Sequence, residues 1–119
     1  MLGGCRMIKI EEAERTPLKY TVADRSQIPE EAAKLIEEKK EKEFQMVYQK
    51  GEDLYLIKGY GRQMSGGYSI QVTDLSASVN AVFFETKLIG PTEEVQGGEP
   101  SYPYIVVKTE YRDVPVQFR

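Results

Sequence analysis

Hydrophobic positions recur with two periods along this chain, and the period changes at Phe44. Before it, Ile28, Ala32, Leu35 and Ile36 fall at i, i+4, i+7 and i+8, one apolar stripe of a helix. Pro29 stands at a first-turn position that does not miss its N–H, and Glu30 and Glu31 follow at the positive end of the helix dipole. Glu30, Lys34, Glu38 and Lys42 make an alternating ladder on another face, read as solvated. The spacing predicts a helix over about residues 29–42. After it the period is two. Phe44, Met46 and Tyr48 alternate with polar neighbours, and Lys50-Gly51-Glu52-Asp53 breaks the run like a hairpin turn. Leu54-Tyr55-Leu56-Ile57 reads as a strand buried on both faces. Tyr68, Ile70 and Val72 mark a half-buried strand. Val79–Leu88 marks another, with Phe83 and Phe84 on opposite faces, and Tyr104–Thr109 and Val114–Phe118 complete the series. Upstream, Met7–Ile10 and Leu18–Val22 are short β-type segments, and 24–27 is polar and turn-like.

This order predicts an α+β fold: one helix packed on a mostly antiparallel β-sheet of about 5–7 strands. Short connections favour a meander, and a sandwich gives the same one-dimensional pattern. At 119 residues the chain is expected to be one domain, 1–119, with a short N-terminal arm over about residues 1–6. Two connections depart from the regular rhythm. Gly59, Gly61, Gly66 and Gly67 crowd one of them, and Ile89–Pro103 is unusually long, as functional loops often are.

Composition narrows the chemistry. The net charge of −3 argues against a nucleic-acid partner, which needs a basic face. Histidine is absent, which removes the usual general base and the commonest metal ligand. The lone Cys5 provides neither a disulfide nor a cysteine-based metal site. No metal or cofactor is expected. The remaining route to catalysis is through carboxylates, with Asp74 and Glu85 on neighbouring strands as the pair to watch. Such charges more commonly guard strand edges, and Glu93, Glu94 and Glu99 lack metal-ligand spacing. The expectation is a binding domain that is not an enzyme.

Two segments suit contact with a partner. In Ser65-Gly66-Gly67-Tyr68 the glycine pair permits positive φ and exposes bare main chain beside an aromatic ring. Its spacing fits no phosphate loop, and a glycine-rich hairpin turn is the alternative reading. In Tyr102-Pro103-Tyr104 the proline marks a strand start or edge, flanked by aromatics of the kind interfaces favour. The same residues would also seal the end of a small core.

Together, Gly61-x-x-x-Ser65-Gly66-Gly67-Tyr68-Ser69-Ile70 and the later Tyr102-Pro103-Tyr104-x-Val106-Val107 resemble the PrcB C-terminal domain family over about Leu54–Thr109. The usual family loop reads Gly-x-x-Pro-Thr-Gly-Gly-Tyr-Ser-Ile. Here Met64 replaces proline and Ser65 replaces threonine, and without proline the loop is less preset. Ser101 also stands where the family carries threonine. The family takes its name from a non-catalytic subunit of a bacterial surface protease complex. The resemblance therefore implies a non-catalytic protein-binding domain whose partner is a protease or a protease-complex subunit. Small-ligand binding, with Ile89–Pro103 as a lid, a chagasin-like protease inhibitor and a structural envelope protein are the alternatives.

Leu2-Gly3-Gly4-Cys5 is similar to the end of a bacterial lipoprotein signal, although the charged and apolar regions that precede such a site are missing. It makes Cys5 the candidate lipidation residue. Membrane association is expected only through that anchor, and the location is expected to be the cell envelope or the extracellular space. A free thiol in the arm is the other reading of Cys5.

Overall fold

The computed structural model describes residues 15–91 and 98–119. The arm with Cys5, the segment Met7–Ile10, and Glu93 and Glu94 lie outside the described residues. The chain runs β1 (Thr16–Pro17), β2 (Tyr20–Val22), a 3₁₀ turn (Arg25–Gln27), α1 (Glu30–Lys39), β3 (Glu43–Lys50), β4 (Asp53–Tyr60), β5 (Ser69–Ala77), β6 (Val82–Ile89), β7 (Tyr104–Glu110) and β8 (Val116–Phe118). These eight strands form two four-stranded sheets, ordered β1-β5-β6-β8 and β2-β7-β4-β3. All pairs are antiparallel except β6 with β8.

The α+β class holds and the sandwich arrangement is the one adopted, with one strand more than the expected range and no simple meander. β3–β4 and β5–β6 are hairpin-like neighbours, but β7 lies between β2 and β4. The uninterrupted apolar run of β4 explains this placement. Leu54 and Leu56 enter the core between the sheets with Leu75, Val82, Phe84, Ile105 and Val107. Tyr55 and Ile57 enter a second core beneath α1, with Ala32, Ile36 and Val106. A strand buried on both faces needs a neighbour on each edge, and β3 and β7 provide them. The molecule thus has three layers: sheet, sheet and helix. Each fully buried aliphatic side chain contributes roughly 1.5–3 kcal/mol, so β4 and β7 anchor both cores.

The structure corrects several local expectations. The helix is shorter than 29–42, because Pro29 is its N-cap with ψ 142° and Lys42 N–H already turns back to Lys39 C=O at 3.2 Å. Lys42 therefore falls outside the charge ladder, and Leu35 stays 37% exposed while Ala32 and Ile36 are buried. The Leu18–Val22 segment divides between the sheets. Leu18 packs into the inter-sheet core and donates its N–H to Leu75 C=O, and the chain then crosses to pair β2 with β7. Val79 belongs to an exposed turn closed by Ser78 N–H to Ala81 C=O, so β6 begins only at Val82. Val114 precedes β8, where Pro115 C=O accepts from Val82 N–H.

A register shift between Val72 and Asp74 changes which parity of β5 faces inward. Ile70 and Val72 pack on the core before the bulge, and Leu75 and Ala77 after it. Phe84 sits in that core, edge-on to Phe118 at 5.8 Å. Phe83 takes the opposite face, as expected, yet is only 8% exposed. The guanidinium groups of Arg15 and Arg119 lie 4.6 and 4.8 Å from its ring centroid and cover it.

Candidate functional site

The glycine-rich connection does not close a hairpin. It carries the chain from β4 in one sheet to β5 in the other. Gly61 has φ +76°, and a Cβ there would meet the Glu43 amide nitrogen at 2.9 Å, so only glycine lets the chain pass β3 this closely. Arg62 N–H then donates to Glu41 C=O at 3.2 Å, and Gln63 Nε2 returns to Tyr60 C=O at 3.1 Å. Tyr60 itself donates its N–H to Pro103 C=O at 3.0 Å, and its hydroxyl meets Thr86 Oγ1 at 2.5 Å across the sandwich.

Next, the two motif segments meet. Gln63 and Ser101 form an antiparallel bridge, with N–H to C=O distances of 2.8 and 3.0 Å. The Ser101 hydroxyl adds a 2.6 Å bond to Ser65 C=O. Ser65 also donates its own hydroxyl to Gly66 C=O. The structure therefore joins the Ser65–Tyr68 loop to the Ser-Tyr-Pro-Tyr strand start, segments 36 residues apart. Met64, where the family favours proline, projects from this join at 80% exposure.

The aromatic residues of the two segments turn to different neighbours. Gly67, at φ +87°, lies against Pro91, and the Tyr68 ring passes over Gly90. Tyr102 lies beneath the Lys40 ammonium, 5.0 Å from its ring centroid, just past the end of α1. Tyr104 packs on the core beneath the helix. The peptide bonds of the described residues are trans, that preceding Pro103 included.

Tyr102, Pro103 and Tyr104 form one wall of an open groove of about 400 Å³, with Val22, Ala23, Asp24, Arg25 and Ile28 opposite. It exists because β2 leaves β7 early. Ala23 N–H makes its bond to Val106 C=O at 2.9 Å, and the chain then turns away into the 3₁₀ turn. Backbone alternation along β7 directs the Tyr104 N–H and C=O to the same side as Val106 C=O. No strand lies beside them there among the described residues. The groove is thus a vacated strand position with an aromatic wall.

The opposite wall was not singled out in the sequence, although its signal is present. Asp24 and Gln27 form a capping box: the Asp24 carboxylate accepts from Ser26 N–H at 2.9 Å, and Gln27 Oε1 accepts from Asp24 N–H at 3.0 Å. The Ser26 hydroxyl, 2.6 Å from Asp24 Oδ1, is the main cause holding that carboxyl below its usual pKa. The box fixes the turn and so the lip of the groove.

The carboxylate pair considered for catalysis lies on neighbouring strands as expected, in the sheet that does not carry the groove. Asp74 and Glu85 are register partners on the outer face of their sheet. Asp74 pairs with Arg15 at 3.4 Å, and the exposed Glu85 accepts from Thr73 Oγ1 at 3.0 Å. Among the described residues no group of three or more acidic or cysteine side chains is arranged to hold a metal ion, and no helix is long and apolar enough to cross a membrane.

No curated protein and no solved structure matches the chain. The family model described as PrcB C-terminal matches residues 54–110, which run from the start of β4 to the end of β7 and hold both motifs with the bonds that join them. Over that segment the chain is similar to the PrcB C-terminal family.

Proposed function

We propose that this protein is a non-catalytic binding domain that holds an extended segment of a partner protein, as an accessory subunit of an exported bacterial protease complex. The observation that carries the reading is the vacated strand position beside Tyr104. There a backbone donor and acceptor face an open groove walled by Tyr102, Pro103 and Tyr104. An extended segment entering it would extend the sheet through main-chain bonds while the aromatic wall selects side chains. Such a site needs no histidine, metal or nucleophile. The open side of the groove, with Asp24 and Arg25 at its lip, suits a chain passing through better than a small molecule, which pockets usually enclose by 70–90%. The loop of Ser65, Gly66, Gly67 and Tyr68 is tied to the start of this wall by the Ser101–Ser65 bond. The protease as partner rests on the family, and export with lipidation at Cys5 rests on Leu2-Gly3-Gly4-Cys5.

The test is affinity capture with cross-linking and mass spectrometry from an envelope extract of the source organism. Wild type would be compared with Tyr102→Ala and Tyr68→Ala variants shown by circular dichroism to be folded. Recovery of a protease subunit by wild type, reduced at least tenfold by Tyr102→Ala, supports the groove. Equal recovery by all three removes the groove as the binding surface. Capture of no protease subunit by any of them removes the protease reading.

A further inference from the structure

The outer edge of β3 is built differently from the other sheet edges. β1, β2 and β8 are two or three residues long, which limits what can pair with them. β3 runs eight residues in unbroken one-to-one register with β4, without proline, glycine or bulge, and no strand lies on its outer side among the described residues. The usual devices that blunt an edge are missing from its interior, since Phe44 to Gln49 carry no charge.

The hairpin sets which backbone groups point outward. Gly51, at φ +62°, and Glu52 form a two-residue turn between Lys50 and Asp53. In such a turn the flanking residues exchange hydrogen bonds with each other, so Lys50, Tyr48, Met46 and Phe44 address β4. Gln49, Val47, Gln45 and Glu43 therefore present their N–H and C=O groups outward. Val47, in the middle of that set, is 45% exposed.

We propose that β3 pairs antiparallel with β3 of a second copy of this chain, across a twofold axis at Val47. Centring the axis on Val47 sets Val47 against Val47, and Gln45 against Gln49 of the second copy. Each pair exchanges two backbone hydrogen bonds and keeps its side chains on one face. Just beyond the strands, the same register brings Lys42 opposite Glu52 of the second copy at both ends. A shift of one residue either way would oppose inward-bonded groups. It would also set Lys42 against Lys50, or Glu43 against Asp53. Charge and hydrogen-bond phase thus select the same register. The product is one eight-stranded sheet with both α1 helices on one side, leaving the groove at β2 and β7 at its outer ends.

Sedimentation velocity from about 1 µM to 1 mM tests this, a series that spans micromolar to millimolar dissociation constants. Wild type should pass from monomer to dimer across that series. Val47→Lys, at a half-exposed position that leaves both cores intact, should abolish the dimer, because like charges would face each other across the axis. Lys42→Glu should weaken the dimer at least tenfold, and combining it with Glu52→Lys should restore it. A wild type that stays monomeric throughout overturns the proposal. So does a dimer that survives Val47→Lys, or a charge swap that restores nothing.

Discussion

Gly59 is the residue through which the helix-side core is most sharply testable. It pairs with Phe44 across β3 and β4, and the Phe44 ring lies over its bare Cα. A Cβ built at Gly59 would stand 2.2 Å from Phe44 Cε1 and 2.6 Å from Cδ1, against the ~3.5–4.0 Å of an ordinary carbon contact. The ring has to retreat by more than an ångström, and in doing so it leaves the cluster it shares with Ile36, Tyr55 and Ile57. Overpacking of this kind costs about 1–3 kcal/mol. In a domain of this size that lowers Tm by about 4 °C for each kcal/mol. The backbone at Gly59 is ordinary extended strand, so alanine is excluded only by the ring. The assay is a double-mutant cycle followed by urea and thermal unfolding. In a Phe44→Ala background, Gly59→Ala should reverse sign and stabilise by roughly 0.5–1 kcal/mol, the usual gain on replacing a strand glycine. An equal cost in both backgrounds would refute the assignment of the clash to Phe44.

The two positive-φ glycines next to β3 should separate in the same assay. Gly51→Ala meets open space and should cost about 1–2 kcal/mol from its left-handed backbone alone, whereas Gly61→Ala also strikes the Glu43 amide and should cost clearly more. Asp24 should titrate below the ordinary carboxylate range when followed by NMR. Because its folded pKa is lowered, its stabilising effect is full above the unfolded value near 3.8 and fades as pH falls through the folded one. Asp24→Asn should therefore flatten the stability–pH curve on the acid side and leave its slope at pH 7 unchanged. Ser101→Ala removes the 2.6 Å bond to Ser65 C=O and should cost about 0.5–1.5 kcal/mol, with faster amide exchange at Gln63 and Ser101 and unchanged protection in β4.

What could be read from the chain and what could not divide along a physical line. Leu54–Ile57 announced a strand covered on both faces because both parities are apolar, and the structure surrounds it accordingly. The motif residues were legible because glycine and proline restrict or free the backbone locally. Sheet membership was not, since a strand pattern records which face is buried and not which neighbour covers it. Leu18–Val22 illustrates this, with its two halves serving different sheets. The bulge is visible afterwards as the three-residue step from Val72 to Leu75, a break in period that periodicity alone smooths over. Phe83 carried no sequence sign of its cover, because Arg15 and Arg119 lie far from it along the chain. The groove was half visible: its aromatic wall is a motif, while its other wall depends on where β2 ends.

The pairing of β2 with β7 sets when the groove can exist at all. Thr109 Oγ1 reaches back to Lys19 C=O across 90 residues, and the groove walls come from residues 22–28 on one side and 102–106 on the other. Closing so long a loop is slow relative to forming the β3–β4 and β5–β6 pairs, which need only local chain. A chain still emerging from the ribosome therefore carries hairpins but no groove. Partner capture at this site would be withheld until the last strands arrive, making recruitment a readout of completed folding.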